Sequence, residues 1–328
     1  MDALLSHVFL DSNTPPLFEF PEYWRAYVYL ALDAQNAAFE KSLSVDRTAK
    51  RLVAIQYSHY PNREDATASR LAIAWWVLQI GALVFDKPLC QGLSIARQDR
   101  HRVHRTASET LARLLRAAPD RLPQREIADD DAPESPIGSA TGRKASEARL
   151  VHAAIEILTE RAATSVSGRE LARRANVNYG LIHHYFGSKE AVFDAAFVAL
   201  HERYVQDMVA EDTQRLAAPF SMRSHEAFIR IWAYRELANV AMPPVDLRGM
   251  RLLLDNILRR RRIDGRAGQA YIDAQASAYC SLSLQLGWVV CRGNMKNLIE
   301  EPETDMLSHL ASVSRWFVAR DWDQGQDA

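Results

Sequence analysis

The sequence predicts an all-α protein, and three observations carry that prediction. Apolar residues recur at spacings of three and four in segment after segment. No segment alternates polar and apolar residues over a strand's length between turn signals. The one long stretch rich in Pro, Gly, Ser and Asp separates two halves that are both helical in pattern.

In chain order, the periodic stretches ahead of that divider are Tyr23–Phe39, Leu71–Phe85 and Arg105–Ala117. The divider, Pro123–Gly142, reads PQREIADDDAPESPIGSATG and lacks the apolar surface that would offset the entropy of ordering it, so it is a linker. Behind it come Ala148–Leu158, Ala227–Ala241, Met250–Ile257 and Ala274–Val290. The most apolar run, LAIAWWVLQIGALVF at Leu71–Phe85, contains Gln79 and falls short of the roughly 20 residues that cross a bilayer, so it is expected to be a buried helix with no membrane role.

Composition narrows the function. With 328 residues, 48% of them hydrophobic, and a formal net charge of −1, the chain is not expected to coat nucleic acid or membrane through overall charge, and any basic site has to be local. The cysteines Cys90, Cys280 and Cys291 form no CxxC pair, which suits a reducing compartment. Nothing at the N-terminus reads as a signal peptide, so a cytoplasmic location is expected. No nucleophile and base converge in the pattern, no glycine loop suits a phosphate, and no carboxylates pair, so the expectation is a protein that is not an enzyme, without catalytic residues, metal or cofactor.

The most informative stretch is Ala145–Phe197. ASEARLVHAAIEILTER places Ala148, Val151, Ile155 and Leu158 on one stripe of a helix about four turns long. Ser167 or Thr164 can cap a second helix, GRELARRA, with Leu171, Ala172 and Ala175 facing inward and Arg169, Arg173 and Arg174 outward. Asn176 falls where a tight turn wants a residue tolerant of positive φ. A third helix is expected from about Tyr179 to Phe186, capped by Asn178 and ended by Gly187, after which Ser188 caps a longer one beginning KEAVFDAAFVALHERYVQDMV. Two short helices across a short turn form a helix-turn-helix, whose second member enters the major groove of DNA. Gly142–Glu190 holds eight Lys and Arg against five Asp and Glu, a positive excess of three inside a nearly neutral chain.

The residues Asn176-Val177-Asn178, Gly180, Leu181, Ile182, His183, His184, Tyr185, Phe186 and Ser188-Lys189-Glu190 resemble the turn and recognition helix of the TetR family of bacterial transcriptional regulators. The resemblance covers Ala145 to about Val209, with Asn176 where Gly is commoner and Leu181 where a hydroxyl residue is commoner. It implies that Asn178, Tyr179, Gly180 and His184 face bases, that His183, Tyr185 and Lys189 hold phosphates, and that Leu171, Val177, Ile182 and Phe186 form the small core beneath. It implies a double-stranded DNA operator, repression or, less often, activation, and an unknown small-molecule effector that shifts the geometry of the readers. A rival reading stays open: a ligand-binding or dimerising helical protein that has lost specific DNA binding.

Other features have plainer readings. His183 and His184, about 100° apart on a helix, do not converge on a metal. His101 and His104 are expected to be solvated helix residues, Arg259–Arg262 a charged helix end, and Cys280 and Cys291 core.

The chain also repeats itself. Leu78-Gln79-Ile80-Gly81 and Val84 correspond to Leu284-Gln285-Leu286-Gly287 and Val290. Tyr29 with Leu32 mirrors Tyr234 with Leu237, and Val45-Asp46 with Arg51-Leu52 mirrors Val245-Asp246 with Arg251-Leu252. The organisation expected is a regulatory-type bundle at 1–122, a linker at 123–142, the helix-turn-helix at 143–190 and a second regulatory and dimerisation bundle at 191–322. Met1–Phe9 lines up with Lys189–Phe197, which raises the expectation of a second helix-turn-helix encoded upstream and of a poorly packed N-terminal segment. Assembly is open between a homodimer and an intramolecular pseudo-dimer.

Overall fold

A computed structural model describes residues 21–32, 65–116, 142–160, 163–210, 222, 225–241, 243–295 and 303–319. The alignment of Met1–Phe9, the mirrored positions Val45 to Leu52 and nearly all of the linker lie outside them. Among the described residues every regular element is helical. The helices are α1 (Pro21–Leu32), α2 (Asp65–Gly92), α3 (Arg100–Arg116), α4 (Arg143–Glu160), α5 (Gly168–Arg174), α6 (Gly180–Phe186), α7 (Lys189–Ala210), α8 (Glu226–Leu237), α9 (Arg248–Arg260), α10 (Gly268–Met295) and α11 (Glu303–Val318).

Two packing units follow from two kinds of helix. In the small unit, short α5 and α6 rest on α4 and on the start of α7 over buried Leu150, Ala154, Leu171 and Ile182. In the large unit α10 is central, with α2, α3, α11, α9, α8 and α1 packed against it. α10 is buried on all sides over much of its length, including Ser277, Ser281 and Ser283, so small residues let neighbours approach its backbone. α7 belongs to both units, packing on α4 at its start and on α8 further along. The expected boundary between residues 190 and 191 therefore falls inside the first turn of a continuous helix.

The closest approach is between α2 and α10. A Cβ on Gly81 would lie 1.8 Å from the Ser283 carbonyl oxygen, and one on Gly287 would lie 1.9 Å from that of Val77, so only glycine permits this crossing. Beside it, Tyr29 of α1 meets Tyr234 of α8 edge-to-face at 5.8 Å.

Several expected elements differ in extent. α2 runs well past both ends of Leu71–Phe85, with Pro88 inside it. Its Ile73–Gly92 segment is long and apolar enough to cross a membrane, yet 89% of the relevant window is buried within the protein, so it is a core helix. α8 stops at Leu237, where Asn239 at φ 52° turns the chain out of the helix, short of the expected Ala241. α11 was not anticipated at all. His104, expected to be solvated, is drawn in by Asp86 of α2: its Nε2 lies 2.9 Å from Asp86 Oδ1.

Candidate nucleic-acid interface

The geometry of the small unit is set by its caps. Ser167 Oγ accepts the Glu170 amide at 3.2 Å and starts α5. α5 ends in a Schellman motif: Asn176 stands at φ 50°, its amide donates to the Arg173 carbonyl at 3.1 Å, and the Val177 amide donates to that of Ala172 at 3.0 Å. Asn therefore does here what Gly does at most such ends. Asn178 Oδ1 accepts the Gly180 amide at 2.8 Å, tying the start of α6 as the sequence implies, although the helix itself begins at Gly180. Gly187, at φ 81°, ends α6, and Ser188 Oγ accepts the Ala191 amide at 3.1 Å to start α7.

This frame presents α6 on the outside. Asn178, Tyr179, Gly180, His183 and His184 are exposed, while Tyr185 and Lys189 are half-buried. Beneath them Leu171 and Ile182 are fully buried, and Val177 and Phe186 pack half-buried against the same core. Tyr179, at 42% exposure among the most exposed large hydrophobics, lays its ring against Gly168, where a Cβ would come within 2.8 Å of it. Its hydroxyl lies 3.0 Å from His183 Nε2, and His183 Nδ1 lies 3.1 Å from the Gly187 carbonyl oxygen. In the neutral ring Nδ1 donates to Gly187, so Nε2 accepts from Tyr179. Tyr179 and His183, four apart on one helix face, thus form a braced pair with rings at 90°. His184 projects on its own, its ring tilted against Tyr185 at 5.1 Å.

Lys189 Nζ donates to the Val166 carbonyl at 2.7 Å and stands 3.7 Å from Glu190, so it clamps the turn before α5 as well as carrying charge. Arg143 lies over the Tyr185 ring at 5.3 Å while its Nε bonds Glu147 at 2.7 Å. Arg174 pairs with Glu156 at 3.0 Å across α4 and α5, whereas Arg169 and Arg173 are exposed. The clamp, the Tyr179–His183 brace and the Arg143 stack were not foreseen; of these, the four-residue spacing of Tyr179 and His183 was the one readable signal. The surface offers neutral and cationic donors beside flat aromatic rings, the chemistry that meets phosphates and base edges.

Two other groups of polar residues sit in the large unit. Asp86, Cys90 and His104 bring ligand-type atoms within 4.8 Å of one another. The Asp86 carboxylate is already engaged by Arg100, by His104 and by the Tyr279 hydroxyl at 2.9 Å. Burial pushes the Cys90 thiol up to about 11, so this knot favours protonated donors over a cation. Between α7 and α9, Tyr204, Val205 and Leu252 line a mostly apolar cavity of about 300 Å³ with Asp246, Arg248 and Arg251. The Asp246 amide donates to His201 Nε2 of α7 at 2.7 Å, joining the cavity's edge to the helix that begins in the small unit.

Residues 150–196 match the family described as bacterial regulatory proteins, tetR family, and therefore carry its helix-turn-helix domain. The HTH-type transcriptional regulator BetI of Rhizobium meliloti is 39% identical over 61 residues, 19% of this chain and 30% of that protein. The HTH-type transcriptional repressor Rv3405c of Mycobacterium tuberculosis is 28% identical over 150 residues, 45% of this chain and 74% of that protein. The HTH-type transcriptional regulator Mb3439c of Mycobacterium bovis matches to the same extent. No solved structure matches the chain.

Proposed function

We propose, from this TetR-type reader domain, that the protein is a DNA-binding transcriptional regulator that represses from an operator and is released by a small-molecule ligand. The observation that supports it best is the exposed face of α6, where Tyr179, Gly180 and His184 are exposed with Asn178 at its start, over a frame held by the Ser167, Asn178 and Ser188 caps and the Lys189 clamp. In this reading α6 enters the major groove, Tyr179 and His184 read base edges, and Tyr185 and Lys189 bind phosphates from the flanks. His183 acts through Tyr179, which it holds upright. The relatives' names describe transcriptional regulators and a repressor, in line with the same function.

The release step follows from α7. That helix carries Lys189 at the reader and Tyr204 at the cavity, so a ligand between α7 and α9 that prefers one spacing of the two helices biases the position of the reader. The apolar walls suit a small apolar or amphipathic ligand, with Arg251 beside the Arg248–Asp246 pair at the polar edge. The bundles at 1–122 and 191–322 supply the regulatory scaffold, the first joined to the reader by the 123–142 linker and the second by α7.

The test is titration of the purified protein with the promoter DNA of its own gene against a random duplex at several salt concentrations. Specific binding that weakens with a log–log salt dependence supports the reading; equal binding to both duplexes at every salt leaves the ligand-binding alternative without DNA specificity.

A further inference from the structure

The helices of the two halves contact each other reciprocally. At the α2–α10 crossing, Gly81 abuts Ser283, four residues before Gly287, and Gly287 abuts Val77, four residues before Gly81. A Cβ on either glycine would also lie 2.8 or 2.9 Å from the other's amide nitrogen. Exchanging the two halves maps this contact onto itself. The α1–α8 contact is reciprocal to within one residue. Arg25 donates to the Glu236 carbonyl in the last turn of α8, and Arg230 donates at 3.1 Å to the Leu32 carbonyl at the end of α1. Tyr29 meets Tyr234, the position that corresponds to it. Arg25 precedes Tyr29 by four residues, as Arg230 precedes Tyr234, so the donors and rings follow the sequence repeat, and only the carbonyl that Arg25 reaches, that of Glu236, lies one residue short of Leu237, the match to Leu32.

Contacts of the form i to j and j to i define an isologous interface, normally the property of two identical chains about a two-fold axis. We propose that α1–α3 act as a built-in partner for α8–α11: the surface through which a second copy of this chain would pair is occupied by the chain's own first half. The protein is then monomeric, and each molecule brings the α4–α7 reader to one half-site rather than two readers to a palindrome. Three features carry the proposal. The crossing admits only glycine at Gly81 and Gly287, the two arginines cap each other's helix ends, and the α2–α10 crossing is buried, with Trp76, Val77, Ile80, Leu284 and Trp288 all in the core. The half-site consequence rests on the reader proposed above; the monomer does not.

The experiment is light scattering behind size exclusion on the full chain, together with a count of bound protein per duplex. A single species near 37.1 kDa that does not change over a hundredfold in concentration is expected, and a species of twice that mass overturns the proposal. Gly81→Leu is expected to break the internal face and give dimers, larger species or loss of cooperative unfolding, whereas a variant that stays monomeric with unchanged melting overturns the assignment of the interface. On DNA, one protein per duplex with a single half-site is expected, and an inverted repeat of that half-site should bind with no more than the twofold statistical gain. A gain of tenfold or more shows paired readers and overturns the half-site claim. Absence of any specific DNA binding by a monomer instead counts against the reader and leaves the built-in partner standing.

Discussion

The reader and the α2–α10 crossing solve opposite packing problems. The reader is a thin layer whose few buried side chains, Leu171 and Ile182 foremost, hold an outer face of donors and rings in place. The crossing has no outer face: Val77, Ile80, Leu284 and Leu286 are buried around two glycines, and side-chain chemistry gives way to backbone proximity. The difference teaches where each unit is vulnerable. The crossing should fail through volume, and the reader through the loss of single polar groups.

The largest effect is therefore expected at the crossing. Gly81→Ala or Gly287→Ala gains about 1 kcal/mol of helix propensity but forces a methyl onto a carbonyl oxygen, and a net loss of about 3 kcal/mol or more is expected in denaturant unfolding. Gly92→Ala, whose new methyl comes nearest to the Met250 side chain and not to a backbone carbonyl, should cost less. Similar losses at Gly81 and Gly92 would show that backbone contact is not what the repeat preserves.

Acid sharpens the contrast next. Burial, with Arg70 adding to it, pushes His309 down to about 4, and burial with Arg100 does the same to His104. Both are neutral in the folded bundle while the unfolded chain takes up protons below about pH 6.5, so stability falls as pH drops from about 6.5 towards 4. One such histidine accounts for up to about 3 kcal/mol across that window. No tryptophan lies in Arg143–Glu190, so tryptophan fluorescence follows the bundle unfolding. His309→Gln should flatten the profile, and an unchanged profile would count against the assignment.

On the reader, His184→Ala and Tyr179→Ala should relax base preference by about 1–3 kcal/mol for each contact. Tyr185→Ala should weaken specific and random DNA alike, and Lys189→Ala should do so with a salt slope lower by about one. The clamp onto Val166 adds a control: Lys189→Arg should retain more affinity than Lys189→Ala, since a cation that can reach the carbonyl remains. Uniform loss on all sequences for His184→Ala and Tyr179→Ala would remove them from base readout. The smallest effect is Ser167→Ala, which should cost about 1 kcal/mol of domain stability through the orphaned Glu170 amide, read by thermal melting.

How much of this was legible follows from how local the signals are. Ser167, Asn176, Gly187 and Ser188 act on residues within a few positions of themselves, and each does in the structure what its place in the sequence implied. The stripe of α4 and the core pair Leu171 and Ile182 were readable for the same reason. What was not readable depends on partners distant in sequence. His104 looked solvated because Asp86 and Tyr279 reach it from other helices, and Lys189 looked like a free cation because Val166 becomes its neighbour only once α5 has folded back. The full length of α2 was hidden by polar residues at Asp65–Arg70 and by Pro88, which end a periodic pattern without ending the helix. The repeat lay between these cases: Leu-Gln-apolar-Gly was visible twice, but nothing local said that the two glycines touch.

The correspondence of the two halves also relaxes a constraint. In a pair of identical chains every substitution appears twice, so a charge near the axis faces its own copy. Here each side is encoded separately. Five residues beyond Gly81 stands Asp86, gathered by Arg100, His104 and Tyr279. Five beyond Gly287 stands Arg292, held by Glu226 at 2.7 Å and Glu303 at 2.5 Å. The corresponding positions carry opposite charges, each inside its own polar network, so the two sides of the crossing have been free to specialise.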